Sequence, residues 1–462
     1  MSNARSLPAR RVEPTPFHEP KPNAPLMCML GVVNRWFLLQ GLPVLRYMPF
    51  VRDLPFVRGH FRIRALDFPL ADRERLRSAV GPGTAAFLGP NHPEFGLDWM
   101  MDKEISRLVA PRMASWASHG IVSSAPRFWT SNNLVANNGG AAARRYSVSW
   151  ATRGHGVLLH PEGSVRWTAD RIHPLFHGIA EMAIEAARAL RARGDDRPVY
   201  IAPIVWKYRY IGDVSANVHR EMDLIERELS LDDGGNLSIA ERFHLLQQNV
   251  LQRQMKAFGF DDAGDDDFFS QQQAFRSHLI DDLSSRYTVE PSESIERTIE
   301  RLRRAIVELR IASDTNPQLA RDLAKADEAA RLGGFDRDVY ETPMLSQEQI
   351  FESLKRIRAA LLRRGTANTL HNYLPTPYGP RIAHVRVPEP IAIDVDRACA
   401  EVAERTAYIA WLIDETHGRM QRELDRINRE IGPDVAALSH VNPFVEWSAH
   451  HRREVVSSAS SP

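Results

Sequence analysis

Cysteine is nearly absent: of 462 residues only Cys28 and Cys399 are thiols, far apart in the chain. That fits a reducing compartment, gives no reason to expect a structural disulfide and leaves no thiolate cluster for a metal. Net charge is missing as well. Lys and Arg number 59 against 58 Asp and Glu, so nothing global argues for nucleic acid, and any basic surface has to be local. Pro and charged residues dominate positions 5 to 22, where a cleavable signal would need an apolar core. The next stretch, 26–50, reads LMCMLGVVNRWFLLQGLPVLRYMPF and is broken by Arg35, Pro43 and Arg46. A spanning helix needs about 20 uninterrupted apolar residues, so this segment is not expected to cross a bilayer. Trp36, Phe37 and Tyr47 beside Arg35 and Arg46 suit a segment lying in a membrane interface; a helix packed on the domain core fits equally well.

What is present is ample core material, 43% hydrophobic residues in a chain long enough for two to four domains. Strands are expected at 61–65, 84–88, 156–159 and 199–205, with helices between them, most clearly over 175–193. Such alternation predicts an α/β fold with a largely parallel mixed sheet flanked by helices. From Asp213 to Leu374 the strand pattern stops. Ile295, Ile299, Leu302, Ile306 and Leu309 mark one face of a helix, and Ser346 with Gln349 forms a capping box before another. After Pro375, Pro377, Gly379 and Pro380 a strand pattern returns at Ala383, Val385 and Val387, followed by a long helix over 394–430. The simplest account is one α/β domain interrupted by an α-helical insertion. Its parts are an N-terminal extension (1–59), the first part of the domain (60–212), the insertion (213–375), a final strand and helix (376–436) and a tail (437–462), Ser-rich from His450 and expected to be disordered.

Two short motifs carry the chemistry. Asn91-His92-Pro93, with Asp98 beyond, follows the apolar run Ala85-Ala86-Phe87-Leu88; His160-Pro161-Glu162-Gly163-Ser164 follows Val157-Leu158-Leu159. Each reads as a loop leaving a buried strand, where α/β sheets usually carry their sites. A histidine near a carboxylate suggests a base and its orienter, and the Glu-Gly turn a second binding wall.

These blocks, in this order and followed by Val199-Tyr200-Ile201-Ala202-Pro203-Ile204, resemble the glycerolipid acyltransferases typified by bacterial 1-acyl-glycerol-3-phosphate acyltransferase. The likeness covers roughly 60–212 and 378–430, where RIAHVRVPEPI over 381–391 is similar to the family's late strand and turn. It departs from the family in three ways. Five residues instead of four separate His92 from Asp98. Val165 and His177 stand where basic residues are common, with Arg166 and Arg171 nearby as substitutes. Asn137-Asn138-Gly139-Gly140 occupies the place of the second block's arginine.

The resemblance implies an acyltransferase fold and transfer of a fatty acyl chain to a lysophospholipid-like hydroxyl. The donor would be acyl-CoA or acyl carrier protein, acting as co-substrate with no further cofactor. His92 would be the general base and Asp98 its partner; Glu162, Gly163, Ser164, Arg166 and Arg171 would bind substrate. Peripheral association with the cytoplasmic face of the membrane follows, with self-association through the helical insertion as a further expectation.

Simpler readings exist for each residue. Asp98 suits the N-cap of a helix beginning at Trp99, Glu162 a tie within a turn, and Arg166 and Arg171 solvated charges. His155, His160, His173 and His177 could suggest a metal site, but no His-Glu-x-x-His motif accompanies them. The acidic run Asp261, Asp262, Asp265, Asp266 and Asp267 lacks the order of a calcium loop and reads as a solvated loop. The competing function is a non-catalytic, membrane-associated scaffold with the acyltransferase fold, using the helical insertion to engage a partner.

Overall fold

Short runs of small and β-branched residues make the centre of the molecule. The computed structural model describes residues 17–40, 47–50, 62–94, 96–137, 140–163, 165, 168, 170–231, 234–261, 267–292, 294–312, 316–362 and 377–445. The sheet strands are β1 (Ile63–Asp67), β2 (Ala85–Pro90), β3 (Ala114–Ala117), β4 (Leu134–Ala136), β5 (Val157–Leu158), β6 (Val199–Tyr210), β8 (Arg381–Arg386) and β9 (Ile391–Ala392). Their order is β1-β8-β6-β2-β5-β3-β4, with β9 beside β6. Pairing is parallel except where β6 meets β8 and β9. The protein is therefore α/β, with a mostly parallel mixed sheet flanked by helices. β2 is buried along its whole length, as expected for a strand covered on both faces. β6 is long enough to serve two neighbours: Val199 to Ile204 pair with β2, and Val205 to Tyr210 with β8. The late strand β8 thus joins the sheet between β1 and β6.

On one face, helices Gly178–Arg191 and Val402–Ala436 cover the sheet through Ile184, Leu412, Met420 and Leu424. Helices Leu70–Ala79 and Leu97–Val109 cover the other through Leu76, Leu97, Met101 and Ile105. The single helix expected over 394–430 is two: Val395–Cys399, capped by Asp394, and Val402–Ala436 after a break at Ala400. The N-terminal helix Ala24–Arg35 packs on the domain through one face and leaves the other exposed. Its Asn34 Nδ2 donates to the Met100 carbonyl at 2.8 Å and Arg35 pairs with Glu104 at 2.7 Å, while Met29, Val32 and Trp36 stay exposed. Pro43 and Arg46 lie outside the described residues. Among the described residues no helix is long and apolar enough to cross a membrane.

The helical region has its own core, built by helices Ser215–Leu229, Ile239–Phe258, Phe268–Tyr287, Pro317–Leu332 and Gln347–Leu361 around Phe243, Phe275, Tyr340 and Leu354. The capping box is present: Ser346 Oγ accepts from the Gln349 N–H at 3.2 Å, and Gln349 Oε1 from the Ser346 N–H at 2.9 Å. In helix Ile295–Ala312 the expected stripe is buried at Ile299, Leu302 and Ile306 and exposed at its ends, Ile295 and Leu309. The acidic run ends as a cap, since Asp267 accepts from the N–H groups of Phe269 and Ser270; 262–266 lie outside the described residues.

This layer is tied to the sheet. Glu348 Oε1 accepts from the Tyr210 N–H and Gln347 Oε1 from the Val214 N–H, both at 2.7 Å. The first residues of the expected tail, 437–445, are built into the fold. β10 (His440–Val441) pairs with β7 (Met344–Leu345), and Phe444 packs edge-on to Phe243 in the helical core. An aromatic side chain that finds such a pocket gains enough apolar burial to fix its segment. Residues 446–462 lie outside the described residues.

Candidate active site

The chain leaves β2 at Asn91, whose side chain continues the strand's pairing. Its Nδ2 donates to the Trp206 carbonyl and its Oδ1 accepts from the Trp206 N–H, both at 2.9 Å. The next residue is thereby held at a fixed point above the C-terminal edge of the sheet. The His92 N–H donates to Glu162 Oε1 at 2.9 Å, and His92 Nδ1 lies 2.8 Å from Asp98 Oδ2. Asp98 is fully buried, and four donors address its two oxygens. Oδ1 accepts from Trp206 Nε1 at 3.0 Å and Tyr208 Oη at 2.8 Å, while Oδ2 accepts from the Glu94 N–H at 2.8 Å and from His92. Burial pushes the Asp98 carboxyl well up, but a group surrounded by donors alone is built to be an acceptor. Asp98 lies in the first turn of Leu97–Val109, whose N-cap is Gly96, and its carboxylate turns back into the loop. It orients His92 and does not cap the helix. His92 itself lines the cavity described below.

The second histidine has a role that the motif reading did not give it. The His160 ring stacks on His92, centroids 4.0 Å apart and planes 15° from parallel. Its Nδ1 meets the Asn91 carbonyl at 2.9 Å and its Nε2 meets Asp102 Oδ2 at 3.2 Å. Burial works against a charge on His160, yet the Asp102 carboxylate outweighs it and the ring is held protonated up to about 9. Both ring N–H groups are engaged, so His160 contributes positive charge and not a free donor. For His92 the causes act together: burial first, then the His160 charge, hold it well below the usual histidine range. At neutral pH the stack is a neutral imidazole above an imidazolium. Asp102 is one helical turn after Asp98, which brings both carboxylates to one face; that i, i+4 spacing was the available sequence signal.

The remaining expected site residues divide. Glu162 is buried and does not line the cavity; its Oε1 takes the His92 N–H and its Oε2 the His173 N–H at 3.4 Å. It ties two loops together, as the simpler reading had it, instead of forming a substrate wall. Gly163 does line the cavity, with φ of 75°, and an added Cβ would fall 2.5 Å from the Phe176 ring, so both backbone and neighbour require glycine. Ser164 and Arg166 lie outside the described residues. Arg171 pairs with Asp336 of the helical region and is not brought to the cavity. The four motif histidines have separate partners: His155 packs on Trp150, His160 pairs with Asp102, His173 meets Thr168 Oγ1 at 2.5 Å, and His177 accepts from Arg297 at 3.0 Å. Among the described residues no group of three or more His, Cys, Asp or Glu side chains could hold a metal ion.

His92 and His160 open on a cavity of about 1180 Å³, somewhat above the usual range for a small-molecule pocket. It lies where β2, β3, β4 and β5 end, with His92, Ser118, Asn137 and His160 each just beyond its strand, the location favoured for ligands in α/β sheets. Trp99, Met100, Trp116, Trp129, Leu159 and Phe176 give it an apolar wall. Arg303, Arg304, Arg331 and Arg356 stand on the wall formed by the helical region. No protein-family model matches this chain, and no curated protein sequence matches it. The site's own groups are an imidazole oriented by a buried carboxylate, next to a large and largely apolar space.

Proposed function

We propose that the protein is an O-acyltransferase that moves a fatty acyl chain from acyl-CoA or acyl carrier protein to a hydroxyl of a lysophospholipid-like acceptor. The observation that carries this reading is His92 Nδ1 held 2.8 Å from the buried Asp98 carboxylate at the edge of a large, mostly apolar cavity. The order of the sequence blocks supports it. An acyl thioester is already activated, so the reaction needs a base for the acceptor hydroxyl and no covalent acyl-enzyme. His92 Nε2 takes the hydroxyl proton as the oxygen attacks the thioester carbonyl. Asp98 stabilises the imidazolium as it forms. The tetrahedral adduct then expels the thiolate, which receives the proton from His92, leaving an ester and a free thiol. The His160 charge lies 4.0 Å from His92. It disfavours a long-lived His92 cation and favours the negative charge that develops on the adduct oxygen.

The exposed Met29, Val32 and Trp36 beside Arg35 on the N-terminal helix support peripheral association with a membrane, on the cytoplasmic face where donor thioesters are made. The deciding experiment measures thiol release from a long-chain acyl-CoA, and from acyl carrier protein, against a panel of lysolipids, for wild type and His92→Ala. Acceptor-dependent release that disappears in the variant is the expected result. No release with either donor, from folded protein, overturns the proposal and leaves the scaffold reading in its place.

A further inference from the structure

A second cavity, of about 260 Å³, lies outside the proposed site, between the N-terminal helix, the edge strand β1 and the C-terminal end of helix Leu97–Val109. It shares no lining residue with the large cavity. Leu108 stands on its wall, whereas Asp102 lines the large one, and the two positions lie about 9 Å apart along that helix. Three arginines, Arg35, Arg64 and Arg73, line the small cavity among Leu39, Leu66 and Leu108, and among the described residues no acidic side chain does. Arg35 meets Glu104 at 2.7 Å, but Arg107 takes the same carboxylate at 2.9 and 2.7 Å, so two guanidinium groups share one negative charge. Arg73 Nε donates to the Phe68 carbonyl at 2.8 Å and its guanidinium lies 5.3 Å from the centre of the Phe68 ring, contacts that hold it in place without cancelling its charge. Arg77, exposed, donates to the Leu108 carbonyl at 3.1 and 2.8 Å and adds a positive charge beside the cavity. These cations can be reached from solvent: the Arg35 side chain is 40% exposed, and Arg64 is exposed on β1.

The surface beside this cavity is apolar. Met29, Val32, Val33 and Trp36 are exposed and follow the three- and four-residue steps of one helix face, and Arg35, on the flank of that stripe, is also a wall of the cavity. An exposed apolar stripe edged by arginine suits the head-group region of a bilayer, where Trp and aliphatic side chains enter the acyl boundary while cations stay with the lipid phosphates. Basic side chains are drawn to an anionic leaflet by charge alone, but a pocket of guanidinium groups adds hydrogen-bonding forks that match phosphate oxygens. We infer that the small cavity is a binding site for the head group of an anionic phospholipid in the bilayer, with Arg64 and Arg73 on its phosphate, Arg35 at the entrance and the apolar stripe in the adjoining interface. The volume suits a head group and not a whole lipid. This lipid is an anchor and not a reactant, because its cavity is separate from the one that His92 lines. The inference deepens the peripheral membrane association proposed above and rests on it, not on acyl transfer.

The test uses the full chain and needs no catalysis. Partitioning is measured by flotation, at fixed ionic strength, with vesicles of phosphatidylcholine alone and of phosphatidylcholine mixed with phosphatidylglycerol. Stronger binding to the mixed vesicles is expected, falling roughly fivefold in Arg64→Gln and in Arg73→Gln. Arg191→Gln, which removes the same charge from the helix Gly178–Arg191 on the other face of the sheet, should bind as wild type does. If Arg73→Gln does not fold, Arg64→Gln decides alone. Arg64→Lys separates a built pocket from diffuse attraction, since it keeps the charge and loses the fork: its affinity for the mixed vesicles should also fall, and wild-type affinity would overturn the pocket. Displacement of the protein from the vesicles by inorganic phosphate, with chloride withdrawn to hold the ionic strength, would assign the cavity to a soluble anion and overturn the lipid assignment. Equal partitioning into both kinds of vesicle, or wild-type partitioning in both glutamine variants, would overturn the inference while leaving membrane association standing; binding to neither vesicle would remove both. Acyl transfer to lysolipids in detergent micelles is measured separately, so the proposed reaction stands or falls on its own result.

Discussion

Glu94, two residues beyond His92, is the most consequential buried charge outside the histidine stack, and Glu94→Gln is the substitution that probes it. The carboxylate is 4% exposed; its Oε1 meets Lys355 Nζ of the helical region and its Oε2 lies 2.5 Å from Arg381 Nη1 at the start of β8. Burial would raise its pKa, but Arg381 and Lys355 together hold it below the usual range, so it is ionised. Glutamine keeps the shape and one acceptor oxygen but turns an N–H₂ donor toward one of two buried cations.

Removing one partner of a buried ionic group typically costs about 3–5 kcal/mol, because the remaining charge is uncompensated. Part of that is recoverable. Lys355, which burial lowers to about 8 even with ionised Glu94 beside it, sheds its proton more readily once that charge is gone, whereas Arg381 cannot shed its own. A loss of about 3 kcal/mol is therefore expected from equilibrium urea unfolding near pH 7. Glu94→Gln combined with Lys355→Met should be less destabilised than the sum of the two single variants, since one of the stranded charges is gone. Because the Glu94 N–H also donates to Asp98, any transferase activity should fall with it. A loss below about 1 kcal/mol, or strict additivity in the double variant, would refute the view that this cluster fastens the helical layer to the loop that carries His92.

Two further outcomes follow from the same geometry. In Asp102→Asn, histidine ring NMR should show the His160 titration falling from about 9, as the largest contribution opposing burial is removed and only Asp98 and the Asn91 carbonyl remain, and the His92 titration rising as the stacked cation is weakened; two unmoved titrations would show that the rings do not communicate. Replacing Val32 and Trp36 by Glu on the exposed face of the N-terminal helix should abolish flotation with anionic liposomes without altering urea stability, and retained flotation would place the membrane contact elsewhere.

Much of the sheet was legible because buried strands in α/β folds write themselves as apolar runs, as in β2 and the first half of β6. The capping box at Ser346 was legible because its hydrogen bonds are local. The second half of β6 was harder: Trp206, Lys207, Tyr208 and Tyr210 look mixed in sequence, and they are buried because β8, the Leu97–Val109 helix and the helical layer all close over them. The split near Ala400 and the anchoring of Phe444 were missed for a related reason. Propensity and periodicity describe a segment, not the partner it meets.

The sequence by itself determined where the loops leave the strands, which histidine could act as a base, and that a carboxylate stood near it. Those are properties of neighbours along the chain. Tertiary structure alone decided that His160 stacks on His92 with Asp102 behind it, that Glu162 braces the loop instead of lining the cavity, and that arginines from 303 to 356 face a histidine at 92. Such arrangements depend on the angle and depth at which one layer settles on another, and in a single sequence no spacing rule links residues that distant.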